Sequence, residues 1–205
     1  MSQYQDLVTE EKGGNSTVDF LTLDRFLNRL DDAVSSENCR SDKRFVVDGM
    51  VDFQRFRDQI FPNIRQGSVL DALVVWTQIR SYIKGSIECV LQQQHVSLEQ
   101  YLDFSIFGKD RCRLQSQQRR EVYQIYQRYQ DVLAARDYWD AADRVLDLLI
   151  RARLSDMSLS RNYSGLGGPY HKVYVDEVQD YCQSELLLFF LAVGLDTDAL
   201  FLAGD

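Results

Sequence analysis

The chain has 205 residues, of which 45% are apolar and 26% charged, with a formal net charge of −8. This is enough for one large domain or one domain plus part of another, and a chain of this size buries roughly 70% of its unfolded surface. The acidic balance argues against a dedicated nucleic-acid module, which draws much of its affinity from neutralised phosphates. No apolar run nears the ~20 residues of a membrane span, and the opening MSQYQDLVTEEKGG has neither the basic nor the apolar stretch of a secretory signal.

Four scattered cysteines (Cys39, Cys89, Cys112, Cys182) without a C-x-x-C pair, and only His95 and His171 as histidines, argue against structural zinc and a disulfide framework. Reduced thiols and an intracellular location, nuclear or cytoplasmic, are expected.

Residues 1–17 are polar, contain Gly13-Gly14, and read as a flexible lead-in. Leu23, Phe26, Leu27, Leu30 and Val34 then fall on one helical face, with Thr22 as a candidate N-cap. Residues 35–48 read as a loop, 52–60 as a helix ending near Pro62, and 70–83 as a helix broken by Lys84-Gly85. Ser97 and Gln100 form a candidate capping box for a short helix through Phe104. The longest helix is predicted over 115–136, where Val122, Ile125, Tyr126, Tyr129 and Leu133 recur at helical spacing, and another over 138–153.

The character changes after the Gly-rich segment 162–169. Lys172-Val173-Tyr174-Val175 reads as a short buried strand, 184–193 as an apolar helix, and 199–203 as a second buried strand. Strand, helix and strand with short connections make a βαβ unit and hence a parallel pair. Such a pair cannot cover itself and needs neighbours. The expected fold is therefore mostly α with a C-terminal α/β piece: a helical subdomain over 18–160 and a partial sheet over 170–205.

The first strand runs into Asp176-Glu177 and the second into Gly204-Asp205. Functional groups of parallel α/β sheets sit at the carboxyl ends of the strands. The residue types suit nucleotide hydrolysis. One carboxylate can hold Mg2+ beside a phosphate, the next can orient and deprotonate an attacking water, and a nearby glutamine can hydrogen-bond a γ-phosphate.

Asp176-Glu177-Val178-Gln179-Asp180 resembles the D-E-x-Q-D Walker B motif of UvrD/Rep-like superfamily 1 helicases. Phe201-Leu202-Ala203-Gly204-Asp205 looks like the start of that family's next motif, G-D-x-x-Q, after an interval of about 25 residues that fits one helix and its turns. In the family a largely helical subdomain is inserted before the Walker B strand, and the region 51–153 is in the right place for it. Residues 20–27, 74–85 and 97–102 are also similar to the helicase-like region of large eukaryotic TPR and ankyrin repeat-containing proteins.

The resemblance implies a partial RecA-like P-loop NTPase domain, with Asp176 as Mg2+ ligand, Glu177 as general base, Gln179 coupling nucleotide state to motion, and Asp205 supporting the nucleotide site. It implies ATP and Mg2+ as cofactors, single-stranded nucleic acid and the remaining RecA-like domains as partners, and no membrane. The sequence departs from the family in holding no G-x-x-x-x-G-K-[ST] loop, which supplies the backbone cradle and lysine for the phosphates. The chain alone is therefore expected to be inactive. The alternative is a non-catalytic, helicase-derived protein-interaction module.

Between Lys109 and Arg128 six cations interleave with Tyr123 and Tyr126, a pattern that could contact single strands. The helical spacing of the tyrosines favours a solvated helix face with aromatic groups turned inward. Trp76 and Trp139 read as core, His95 has no visible partner, and Cys182 could be partly exposed.

Overall fold

A computed structural model describes residues 7–11, 18–35, 45, 47–108, 110–158 and 170–205. The chain divides into two compact units, one formed by 1–42 with 147–205 and the other by 43–146.

The first unit is built on a four-stranded sheet of order β2-β1-β5-β6. Strand β1 (Leu7–Glu11) pairs antiparallel with β2 (Val18–Leu21) and with β5 (Tyr170–Val175), and β5 pairs in parallel with β6 (Leu200–Leu202). Residues 7–11, expected within a flexible lead-in, thus form a strand. Their alternation Leu-Val-Thr-Glu-Glu carries enough β-favouring residues to add to the edge that β5 offers.

Helix α1 (Leu23–Ser35) follows β2 directly, and the predicted cap is present, with Arg25 N donating to Thr22 Oγ1 at 3.4 Å. This helix packs within the sheet-bearing unit rather than with the helical subdomain expected over 18–160. A register shift between Glu10 and Glu11 lets β5 turn Tyr170, Val173 and Val175 all inward, at 0–1% exposure. Phe26 of α1 meets Tyr170 at 6.0 Å and Phe189 at 5.2 Å between ring centroids, which welds α1 and the helix after β5 to this face.

The second unit is helical. A minimal parallel pair, β3 (Met50–Val51) with β4 (Trp139–Asp140), brings its two ends together. Helix α2 (Phe53–Arg55), capped by Asp52, continues through a wide π turn over Phe56–Ile60 into α3 (Phe61–Ile64). The helix runs past Pro62 because the π turn resets the ladder just before it. The missing N–H then falls in a first-turn position that needs no intrahelical partner. Helix α4 (Ala72–Gln78), capped by Asp71, passes into a second π turn over Ile79–Lys84. Next come α5 (Ile87–Gln92) and α6 (Leu98–Leu102), the latter opened by the predicted capping box, Gln100 N to Ser97 Oγ at 3.2 Å and Ser97 N to Gln100 Oε1 at 3.0 Å.

The 21-residue α7 (Ser116–Arg136) is the spine of this unit, burying Val122, Ile125, Tyr126, Tyr129 and Leu133 as the spacing predicts. Tyr129 meets Phe56 edge-on at 5.3 Å, and Phe56 meets Trp76 at 5.0 Å. Helix α8 (Ala141–Ser158) leaves β4 and runs onward in sequence into the sheet-bearing unit. Among the described residues no helix is long and apolar enough to cross a membrane.

After β5 a short 3-10 turn, Val178–Asp180, leads to α9 (Gln183–Ala192), and a second such turn, Thr197–Ala199, leads to β6. Cys182 is the N-cap of α9, its N–H bonded to Glu185 Oε2 at 2.7 Å. It is buried at 4% exposure, against the expectation that it could be partly exposed, because α9 is apolar around its circumference and draws its first turn inward. The expected strand-helix-strand unit is present.

Candidate functional site

Strand β5 ends where its inward alternation stops, so Asp176 and Glu177 emerge together into solvent. Glu177 adopts the left-handed conformation, φ 50° and ψ 46°, uncommon for a residue with a side chain. Its N–H donates to Asp176 Oδ1 at 2.9 Å, and its carboxylate accepts from Gln179 Nε2 at 2.5 Å. The end of β6 is laced to the same corner: Ala203 N donates to Val175 O at 2.8 Å, and Val178 N donates to Ala203 O at 2.9 Å. Gly204 follows immediately and Asp205 comes next, exposed like Asp176, Glu177 and Gln179.

The structure thus gathers Asp176, Glu177, Gln179 and Gly204 at one corner, with Asp205 at the adjoining strand end. Among the described residues no group of three or more His, Cys, Asp or Glu could enclose a metal ion. Mg2+ asks for no such cage when phosphates complete its octahedron, since one or two protein carboxylates suffice. Asp176, with one oxygen engaged by the Glu177 N–H and the group standing in water, fits that demand.

Gly204 was visible in the sequence only as part of a motif. A Cβ at this position would strike Gln179 Oε1, and would lie 2.9 Å from Val178 Cγ1. With glycine here the Gln179 amide can rest against the second strand end, and any larger residue would push that side chain aside.

The helical unit uses its cations differently from the stacking surface weighed above. Arg119 is fully buried and donates to four carbonyl oxygens: Leu114 at 3.0 Å, Tyr101 at 3.0 Å, Phe107 at 2.6 Å and Cys112 at 2.9 Å. Arg111 pairs with Glu88 at 2.8 Å, and Arg128 donates to Ile64 O at 2.9 Å. Tyr123 donates to Val96 O at 3.1 Å, and Tyr126 is buried. These cations fasten loops to helices. Arg113 and Arg120 stay exposed, while Lys109 lies outside the described residues.

A buried ionic cluster in the same unit escaped the sequence reading. The second π turn delivers Lys84, 0% exposed, against Asp140 at 2.5 Å and Asp143 at 2.7 Å. Tyr129 OH donates to Asp140 Oδ2 at 3.0 Å, and the two aspartates cap α8 reciprocally through their backbone N–H groups at 3.1 Å. His95, expected to lack a partner, lies 2.7 Å from Tyr126 OH through Nδ1 and 3.5 Å from Asp143 through Nε2. Burial opposes charge on Lys84, but the two carboxylates outweigh it and hold its pKa above the ordinary lysine value. Burial likewise opposes ionisation of Asp143, yet the Lys84 ammonium and the His95 contact hold its carboxyl below the usual carboxylate range. Burial pushes the Asp140 carboxyl up, with only partial relief from Lys84. The available signals were the D-x-x-D spacing at a helix start and a lysine closing an apolar helical run.

Separately, a cavity of about 400 Å³ is lined by Met50, Asp52, Gln54, Arg55, Asp58 and Gln59. It includes none of the predicted site residues.

Residues 21–205 match the family described as the UvrD/REP helicase N-terminal domain. The chain belongs to that family. It is also 30% identical over 176 residues to the human "TPR and ankyrin repeat-containing protein 1", an alignment covering 85% of this chain and 6% of that protein. The UvrD/REP-type chain therefore spans a small fraction of this curated relative. No solved structure matches it.

Proposed function

We propose that this chain is the Walker B-bearing part of an ATP-dependent UvrD/REP-like nucleic-acid helicase or translocase, with β5, α9 and β6 forming part of a RecA-like domain. The observation that carries the reading is the corner itself. An Asp-Glu pair at the carboxyl end of β5 lies beside a Gly-Asp pair at the end of its parallel neighbour, as nucleotide chemistry requires.

In the assembled motor Asp176 would hold Mg2+, which would supply positive charge against the phosphates. Glu177 accepts the proton of the attacking water, Gln179 links the base to nucleotide state, and Asp205 supports the nucleotide site from the neighbouring strand. The partners this reading carries are ATP, the remaining RecA-like domains and a single-stranded nucleic acid, inside the cell. The isolated chain lacks a G-x-x-x-x-G-K-[ST] loop and is expected to turn over no ATP.

The test is Glu177→Gln in a longer form of the protein that carries a phosphate-binding loop. Loss of the general base should lower turnover by roughly 10²–10⁴-fold while ATP stays bound. Turnover at the wild-type rate in that variant overturns the assignment.

A second reading, a non-catalytic interaction module of helicase descent, is favoured by the inward use of Arg111, Arg119 and Arg128 and by the net charge of −8. It predicts no salt-dependent binding of single-stranded DNA or RNA, whereas the motor predicts binding that weakens as salt rises.

A further inference from the structure

Three observations meet at Gln179. Its amide nitrogen donates to the Glu177 carboxylate at 2.5 Å. Its amide oxygen occupies the space that any side chain at position 204 would fill. The backbone at that point is fixed, because Val178 N is bonded to Ala203 O at 2.9 Å and Asp180 N to Glu177 O at 2.9 Å. The side chain is therefore braced on the end of one strand and reaches to the carboxylate at the end of the other.

We propose that Gln179 is a positioning residue seated on Gly204, holding the Glu177 carboxylate so that the base is set by where the end of β6 lies. The inference rests on the reading of Glu177 as the base. Its physical content is a mechanical link. Glu177 already holds a left-handed backbone, so its side-chain direction is constrained at the root, and the Gln179 amide constrains it at the tip. A displacement of the β6 end by the width of a methyl group removes the seat. The amide then loses its support on that side, and its donation to the carboxylate weakens. Whatever shifts Gly204 in the assembled protein would thereby free or hold the base without touching it.

The link can be measured on this chain by NMR, without nucleotide, through exchange of the Gln179 side-chain amide with water. A charge-assisted hydrogen bond of roughly 1.5 kcal/mol slows that exchange about tenfold relative to an exposed glutamine such as Gln127. Glu177→Ala should abolish the protection by removing the acceptor. Gly204→Ala should abolish it by removing the seat, with Glu177 unchanged. If Gly204→Ala perturbs folding, Gln179→Asn replaces it, since the shorter arm cannot both rest on Gly204 and reach Glu177, and the shortened side-chain amide should then exchange freely.

A wild-type Gln179 amide exchanging as fast as that of Gln127 overturns the proposal, as does protection that survives Glu177→Ala. Protection that survives Gly204→Ala overturns the role of the β6 end. The proposed function is judged separately by the Glu177→Gln turnover test on the longer form of the protein, so that the exchange data judge the Gln179–Glu177 link alone.

Discussion

In the helical unit Lys84 and Arg119 are wholly buried and each is met by several oxygens, whereas in the sheet-bearing unit Asp176, Glu177, Gln179 and Asp205 all stand in water. Strongly polar side chains are put to opposite uses. A buried charge is tolerable only when every strong group around it is satisfied, so the partners of Lys84 and Arg119 are fixed in place. An exposed carboxylate keeps its hydration and some of its freedom, which the proposed magnesium and water chemistry would need. The helical unit gains uniqueness of structure from its charges, and the sheet corner keeps its charges available.

Removing the Lys84 ammonium should have the largest effect. Lys84→Met keeps the volume of the stem but leaves Asp140 and Asp143 without their cation, an error that costs about 3–5 kcal/mol in comparable buried pairs. Trp76 and Trp139 both lie in this unit, so tryptophan fluorescence during urea unfolding reports on it directly. The pH dependence checks the sign. The Lys84 pKa is raised, so its contribution is complete below the ordinary 10.5 and is lost as pH rises through the higher folded value. The Asp143 pKa is lowered, so its contribution is present above 3.8 and is lost as pH falls through the lower folded value. Asp140, raised by burial, acts in the opposite sense just above 3.8, where stability declines as pH rises through its higher folded value. Wild type should be nearly flat from there up to 10.5, whereas Lys84→Met should gain stability as acid neutralises the unpaired aspartates. A Lys84→Met variant as stable as wild type at neutral pH removes the basis of the comparison.

Arg119→Met should follow, at roughly 3 kcal/mol, because four carbonyls lose their donor in a dry setting. Arg119→Lys separates charge from shape. An ammonium cannot reproduce the planar fork that reaches the carbonyls of Tyr101, Phe107 and Cys112 together, so it should recover less than half of the loss. Full recovery by lysine would show that charge alone matters at this position.

What the sequence disclosed divides along the same line. The strand end that carries Asp176 and Glu177 was legible because a short β-branched run stops at a local acidic cluster. The helices over 23–35 and 116–136 were legible from periodicity, and the Ser97 capping box from its two residues. Strand β1 was hidden because its partner β5 lies more than 150 positions away, and only that pairing makes a strand of a polar segment. The Lys84 cluster was hidden for the same reason. Asp140 and Asp143 lie over 50 positions from Lys84, and the π turn that swings the ammonium inward has no local sequence signature. Arg119 was read as part of a solvated face because helical spacing ranks it among polar neighbours. Its burial follows from the carbonyls of Phe107 and Cys112, which lie outside the helix and close onto it, and periodicity does not encode that.

The smallest effect on stability should come from the outer face of the sheet, and there solubility is the sensitive readout. Phe20 is 64% exposed, Val18 52% and Phe201 41%, and the strand register sets Phe20, Tyr174 and Phe201 in one row on the face opposite Val173 and Val175. Tyr174 and Phe201 stack at 4.6 Å with the Lys172 ammonium 5.8 Å from the Phe201 ring, so this face already satisfies part of its apolar area internally. Parallel strands are ordinarily covered on both faces, and this pair is covered on one. Phe20→Ser therefore removes a ring that is mostly in contact with water, and should change the unfolding midpoint by less than about 0.5 kcal/mol equivalent. The same change should reduce concentration-dependent association in sedimentation, because it interrupts the exposed apolar row. Phe26→Ser on the inward face is the matched control: it buries a hydroxyl and opens a cavity between Tyr170 and Phe189, and should cost several times more. Equal losses from the two substitutions would mean that both faces of the sheet are covered in solution.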